Sequence, residues 1–168
     1  MGKYFGTDGF RGEANKDLNF DHAIKIGRFL GWYYGERQGK KAKIVIGKDT
    51  RRSSYMFEYA LCTGIMASGA DAYIMHVTTT PSVSYIARVD DFDCGIMISA
   101  SHNPYYDNGI KLLNGQGEKM EESVLDGIED IAICRLTGAD VVRHVLVQRI
   151  IQAYERHENA RAKERGND

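Results

Sequence analysis

The stretch AKIVIGKDTRRSSYMFEYALCTGIMASGADAYIMHV, residues 42–77, decides the fold. It opens with a short, mostly apolar run that ends at Gly47, which is typical of a buried strand. A polar loop follows, and then apolar residues recur at helical spacing, with Ser53 or Ser54 as the expected cap of the helix. A second apolar run over residues 73–77 predicts another strand. Strand and helix therefore alternate, which is typical of a largely parallel sheet covered by helices.

The same alternation continues on both sides of this stretch. Upstream we expect a helix over 21–38, capped by Asp21, and downstream a helix over 82–89 with Pro81 in its first turn. Strands over 94–99 and 110–113 and a closing helix over 121–133 complete the pattern. The sequence thus predicts an α/β fold of three αβα layers around a mostly parallel or mixed four-stranded sheet. In such sheets the loops after the strands carry the chemistry, and here they are 48–53, 78–81 and 100–108.

Composition excludes several classes of protein. The 168 residues include 22 basic and 23 acidic side chains, so the net charge of −1 disfavours a nucleic-acid partner. A hydrophobic content of 43% is enough for a core, and no apolar run is long enough to cross a membrane. The first residues lack a secretory signal, and the three cysteines are scattered, without the spacing of a disulfide framework or zinc site. We therefore expect a cytoplasmic protein with neither a nucleic-acid nor a membrane partner.

The segment Ile98-Ser99-Ala100-Ser101-His102-Asn103-Pro104 is the first candidate site. An apolar strand ends there in small polar residues, and Pro104 restricts the backbone. Such a loop presents the Ser101 hydroxyl among backbone N–H groups, which suits an anionic phosphoryl group, with His102 and Asn103 as polar contacts. Lys111 would bring an ammonium group near Ser101 if its strand folds back beside the loop. The alternative is an ordinary polar turn with an Asn-Gly corner.

The second candidate is the leader Phe5-Gly6-Thr7-Asp8-Gly9-Phe10-Arg11-Gly12. Its three glycines in residues 6–12 disfavour a helix and indicate an extended, tightly turning segment. Arg11 is a planar donor that suits phosphate, although a surface arginine in a flexible terminus is the plainer interpretation.

The tail differs from the rest of the chain. Residues 1–134 read as one domain, whereas 135–168 carry seven basic and five acidic residues and no further strand pattern. Val142, Leu146, Ile150 and Tyr154 have helical spacing, so we expect a helix there that frays beyond Glu155.

Three segments, in this order along the chain, resemble the α-D-phosphohexomutase family. They are Gly6-Thr7-Asp8-Gly9-Phe10-Arg11-Gly12, Gly47-Lys48-Asp49-Thr50-Arg51 and Ser99-Ala100-Ser101-His102-Asn103-Pro104. The continuation Asp107-Asn108-Gly109-Ile110-Lys111 is most similar to the phosphoglucosamine mutase branch. The resemblance covers about residues 1–133, the first of the four domains of such enzymes, and implies interconversion of glucosamine 6-phosphate and glucosamine 1-phosphate.

The resemblance also implies roles for individual residues. Ser101 would be carried as phosphoserine and donate its phosphoryl group, with Arg11 and Lys111 as catalytic partners. His102 and Asn103 would bind phosphate in the same pocket. Mg²⁺ would bind an oxygen of the phosphorylated Ser101, with its other ligands supplied by an Asp-x-Asp-x-Asp loop of the second domain. Asp49 and Arg51 rank lower, since an Asp–Arg pair before a helix is as often structural.

This chain departs from the family where the second domain should begin. It contains no Asp-x-Asp-x-Asp segment, and the sequence after residue 134 does not resemble the family. A truncation, a frameshift or a natural stand-alone domain would each produce such a tail, and the fragment alone is expected to be inactive. The alternatives are a relative acting on mannose or glucose phosphates and a non-catalytic module that binds a phosphosugar. Self-association through surface that the missing domains normally cover is a further expectation.

Overall fold

The computed structural model describes residues 9–133, with side chains up to residue 128. Strands and helices alternate along this part of the chain as the sequence predicts. In chain order the elements are β1 (Phe10–Glu13), α1 (Phe20–Gln38), β2 (Lys43–Lys48), α2 (Arg52–Ala67), β3 (Asp71–Val77), α3 (Thr80–Val89), β4 (Cys94–Ile98), β5 (Asp107–Asn114) and α4 (Glu122–Ile133). The tail 135–168, with its predicted helix, and the leader residues Gly6, Thr7 and Asp8 lie outside the described residues.

The strands form one mixed sheet in the order β1-β5-β4-β2-β3. β2 runs parallel to both β3 and β4, whereas β5 is antiparallel to β4 and to β1. The α/β class and the mixed sheet are confirmed, but the sheet has five strands and not four. The additional strand is β1, which overlaps the glycine-rich leader and whose four residues show no strand pattern of their own. It becomes a strand because it pairs with β5, with Phe10 opposite Ile110.

Helices cover both faces of the sheet, which confirms the three layers. Ile44 and Ile46 of β2 face the larger core, which α1, α2 and α4 complete. Val45 points to the opposite face and packs against Val83 of α3 and Met97. This alternation follows from the period of two along a strand, so one buried strand serves both layers.

Close packing of α1 against α2 depends on two glycines. A Cβ atom at Gly27 would lie 2.5 Å from the carbonyl oxygen of Leu61, and one at Gly64 would lie 2.2 Å from that of Ile24. Neither distance is compatible with a side chain, so the two helix backbones touch directly at these positions. This contact fixes α2, whose amino end borders the loops after β2 and β4.

The ends of α1 and α3 show how local sequence sets the helix boundaries. Asn19, and not Asp21, caps α1, because its side chain accepts a hydrogen bond from the amide of His22 while the His22 ring accepts one from the amide of Asn19. Pro81 lies in the first turn of α3, as predicted, after the N-cap Thr79.

Candidate functional site

The connection from β4 to β5 carries the candidate nucleophile. Ser101 lies just beyond the carboxyl end of β4, is exposed, and has a φ of +55°, in the left-handed region that glycine usually occupies. Its amide donates to Oγ of Ser99 at 3.0 Å, and its own Oγ lies 3.4 Å from Nδ1 of His102. The loop therefore turns sharply at Ser101 and leaves the hydroxyl accessible.

Arg51 holds this loop from the neighbouring strand–helix connection. Its Nη1 donates to the carbonyl oxygens of Pro104 and Asp107, and its Nη2 donates to those of Ser101 and Asn103 at 2.9 Å each. One planar guanidinium thus binds four carbonyl oxygens across residues 101–107. The turn is shaped by a side chain about 50 residues away in sequence and not by its own residues alone.

Asp49 fixes Arg51 in turn. Its Oδ2 accepts from Nε of Arg51 at 3.0 Å, and its Oδ1 accepts from the Arg51 amide at 3.0 Å and the Ser54 hydroxyl at 2.9 Å. Arg51 is itself the N-cap of α2, and no side chain caps that helix. The expectation that Ser53 or Ser54 caps α2 is therefore wrong, because the Ser54 hydroxyl is used to hold Asp49.

The far end of the loop is held by a buried asparagine. Asn108 is fully buried, and its Nδ2 donates to the hydroxyls of Ser53 at 2.8 Å and Ser54 at 2.9 Å, while its Oδ1 accepts from the amide of Gly109 at 2.8 Å. Asn103 donates to the Asp107 carboxylate at 3.0 Å within the loop. The Asn-Gly corner is thus tied to the start of α2, which an ordinary polar turn would not be.

Arg11 and Lys111 lie on the two strands beside this loop. Arg11 of β1 is paired with Gly109, where a Cβ atom would lie 3.0 Å from Cγ of Arg11 and 2.8 Å from the carbonyl oxygen of Ser99. The Arg11 side chain therefore packs over Gly109, next to the backbone at the start of the loop. Lys111 is two residues further along β5, opposite Met97, so it lies on the same face of the sheet as Arg11.

Ser101 and Asn103 line one cavity of the structure, and Lys111 lines another. An open cavity of about 640 Å³ is lined by Ser101 and Asn103 together with Arg51 and Arg52. Lys111 lines another cavity, of about 490 Å³, beside the start of α3. The structure thus groups Ser101, His102 and Asn103 on one clamped loop, and it places the two other cations on the strands that flank the loop.

The sequence did not reveal which residues build the loop. The sequence ranks Arg51 and Asp49 lower as site residues, because such a pair is as often structural, and in the structure the two side chains hold the Ser101 loop. The sequence indicates Ser53 or Ser54 only as a cap of α2, and Asn108 only as part of the Asn-Gly corner and of the family motif. It does not indicate that these side chains bind one another.

The part of the chain that the structure describes holds no cluster of potential metal ligands. Among residues 9–128, no group of three or more His, Cys, Asp or Glu side chains could hold a metal ion. In the same region, no helix is both long and apolar enough to cross a membrane.

The described residues define a three-layer α/β domain that presents the Ser101 hydroxyl at the carboxyl end of β4, on a loop held by Arg51. Residues 2–134 match the family described as phosphoglucomutase/phosphomannomutase, alpha/beta/alpha domain I. The chain therefore belongs to this family.

Comparisons with individual proteins agree with this family. The phosphoglucosamine mutases of Lachnospira eligens and Lachnoclostridium phytofermentans are 75% and 70% identical over 130 residues, which are 77% of this chain and 29% of each relative. The solved structure of a phosphoglucomutase/phosphomannomutase family protein from Burkholderia thailandensis is 26% identical, with a TM-score of 0.66, over 78% of this chain and 30% of that one. This chain thus spans less than a third of the length of these relatives.

Proposed function

We propose that this chain is the serine-bearing first domain of a phosphoglucosamine mutase, which interconverts glucosamine 6-phosphate and glucosamine 1-phosphate. The observation that carries the proposal is the exposed hydroxyl of Ser101 on a loop that Arg51 holds through four carbonyl oxygens. The 75% identity to the Lachnospira eligens enzyme favours glucosamine phosphates over the mannose or glucose phosphates of other family members.

Ser101 is the proposed phosphoryl carrier. In the forward direction, the phosphoryl group of phosphorylated Ser101 moves to the free hydroxyl of the sugar phosphate, so the P–O bond to Ser101 breaks and one to the sugar forms. The bisphosphate then turns over and returns its other phosphoryl group to the Ser101 oxygen, which restores the starting enzyme. Little covalent assistance is needed in such a transfer, and positioning and neutralisation of charge dominate its rate.

Arg11 and Lys111 are the proposed catalytic partners of Ser101. Both lie on the same face of the sheet, on strands next to the loop, where cations lower the energy of a phosphoryl group with about −1.5 to −2 charge. Lys111 can also accept the proton of the attacking sugar hydroxyl in its amine form and return it in its ammonium form, which a guanidinium cannot do at neutral pH. His102 and Asn103 are proposed to bind the phosphoryl oxygens.

Mg²⁺ is the proposed cofactor. An oxygen of phosphorylated Ser101 is a hard ligand of the kind that Mg²⁺ prefers. The Ser101 loop could therefore supply one ligand to this ion. Among residues 9–128 no group of three or more His, Cys, Asp or Glu side chains could hold the ion, and we propose that its other ligands belong to a second domain. When bound, the ion would neutralise charge on the transferring group. We propose a cytoplasmic location, because sugar phosphates are cytoplasmic metabolites, and no nucleic-acid or membrane partner.

A chimera tests the proposed activity. Residues 1–134 of this chain would be joined to the corresponding remainder of the Lachnospira eligens enzyme, and turnover of glucosamine 6-phosphate would be measured with mannose and glucose phosphates in parallel. We expect turnover of glucosamine 6-phosphate and none by the 168-residue chain alone. Ser101→Ala should abolish turnover, and Lys111→Met should lower kcat by about 10²–10⁴-fold. A chimera that folds but is inactive, or an active Ser101→Ala chimera, would refute the proposal.

Self-association remains part of the proposal. Among residues 9–133, β3 lies at the edge of the sheet and pairs with β2 alone, and its apolar residues Tyr73, Ile74 and Val77 are 45%, 40% and 50% exposed. An unprotected apolar edge favours association. Light scattering should show dimers or larger species that Ile74→Lys reduces and Trp32→Lys, at an exposed site on α1, does not. A monomer at high concentration would contradict this expectation.

A further inference from the structure

A buried ion pair lies beneath the connection that holds Arg51. Lys48, the last residue of β2, is 1% exposed, and Glu58 in the second turn of α2 is 0% exposed. Nζ of Lys48 lies 3.7 Å from Oε2 of Glu58 and 3.1 Å from the centre of the Tyr55 ring. Both charges are thus removed from water, which is rare unless the groups are paired.

The geometry of this pair is poor for stabilising the fold. The distance of 3.7 Å is long for a charge-assisted hydrogen bond, and Oε1 of Glu58 has no hydrogen-bond partner among the described residues. Oε2 of Glu58 also lies 3.3 Å from Nδ1 of the exposed His76 ring on β3. Desolvation of two charges offsets most of their attraction, and apolar replacements of such pairs often leave stability unchanged or raise it. The pair therefore needs a reason other than stability.

The Lys48–Glu58 pair lies directly beside the residues that hold the Ser101 loop. Lys48 directly precedes Asp49, and Glu58 lies one helical turn after Ser54, so α2 contacts two consecutive residues of the connection. The backbone of Asp49 is also tied to β4, because its amide donates to the carbonyl oxygen of Ile98 at 3.0 Å. These contacts fix the position of Asp49, and its carboxylate in turn orients the Arg51 side chain.

We propose that the buried Lys48–Glu58 pair is a positioning device for the Ser101 loop, acting through Asp49 and Arg51. The pair fixes the end of β2 against the start of α2, so that the Arg51 guanidinium meets the four loop carbonyls at once. Lys48 and Glu58 touch no reacting atom in this arrangement. The inference rests on the proposed function only for the importance of Ser101, since the contacts themselves do not depend on any activity.

Hydrogen exchange in the 168-residue chain tests this proposal without any turnover. The amides of Ser101, Asn103 and Asp107 each donate a hydrogen bond inside the loop, and the amide of Gly117 donates one in the distant turn after β5. In the double variant Lys48→Met/Glu58→Leu, the three loop amides should exchange about ten-fold faster, while Gly117 and the melting temperature stay nearly unchanged. Arg51→Lys should accelerate the same three amides.

A matched control removes an ion pair near the opposite end of β2, between a residue that precedes β2 and the first residue of β3. Lys41 and Asp71 form an exposed pair there, and Lys41→Gln/Asp71→Asn should leave loop exchange within about two-fold of the original. Unchanged loop exchange in Lys48→Met/Glu58→Leu would overturn the proposal, and so would uniform acceleration that includes Gly117. If that variant fails to fold, Glu58→Gln decides between the same outcomes.

The two proposals fail in different ways. An inactive chimera would refute the proposed mutase function while leaving the exchange result intact. Normal loop exchange in the variant without the buried pair would refute the positioning role, whatever the chimera does.

Discussion

Replacement of Arg51 by lysine is the sharpest test of how the candidate site is built. The guanidinium has five N–H donors, and all of them are used, one for Asp49 and four for loop carbonyls. A lysine ammonium has three donors on one atom, so Arg51→Lys keeps the charge but loses at least two of these contacts. The side chain is only 12% exposed, so water cannot fully replace them. At about 1 kcal/mol per contact, the free energy of unfolding should fall by about 2–3 kcal/mol.

Thermal and urea unfolding measure this loss directly. For a chain of this size, about 2–3 kcal/mol corresponds to a fall in Tm of about 5–10 °C. Arg52→Lys is the matched control, because Arg52 is the next residue, is exposed, and lines the same cavity. It should change stability by no more than about 0.5 kcal/mol. If the two variants are equally stable, the loop is not held by the Arg51 guanidinium and the account given for the site is wrong.

Three further predictions concern backbone strain, pH and thiol reactivity. Because Ser101 has a φ of +55°, Ser101→Gly should be more stable than Ser101→Ala by about 0.5–1 kcal/mol in urea unfolding, and equal stability would contradict the strained turn. Burial, followed by the nearby Lys25 charge, lowers the pKa of His22 below its usual 6.5. The unfolded chain therefore takes up a proton first as the pH falls below about 6.5, so Tm should fall over that range, and His22→Gln should flatten the profile. Burial raises the pKa of the Cys62 thiol to about 11, so iodoacetamide at pH 8 should label Cys62 only after unfolding, and rapid labelling of the native chain would show that the site is open.

Local sequence patterns were sufficient for most of the secondary structure. The continuous apolar run within 43–48 and the helical period in 52–67 are properties of neighbouring residues, and each element forms close to its predicted place. Local sequence did not determine the N-cap residues, since several polar residues near the start of a helix can serve as its cap. Asn19 displaced Asp21 because His22 completes a reciprocal pair with it.

The order of the strands and the first strand itself depended on distant pairing. β1 has four residues at the end of the glycine-rich leader, and it forms a strand because it pairs with β5, about 100 residues later. No local pattern distinguishes such a segment from a flexible leader. The prediction of four strands failed for this reason.

The sequence by itself determined the α/β class, the polar loops after the strands, and the family to which its motifs belong. These properties are local, or they are short motifs whose order is preserved along the chain. The tertiary structure decided that Arg51, and not a residue of the loop, shapes the turn at Ser101, and that Asn108 ties the loop to α2. These contacts join residues 50–56 positions apart and form only after the sheet has brought the ends of β2 and β4 together. The residues next to Arg51 or Asn108 in the sequence therefore do not indicate them.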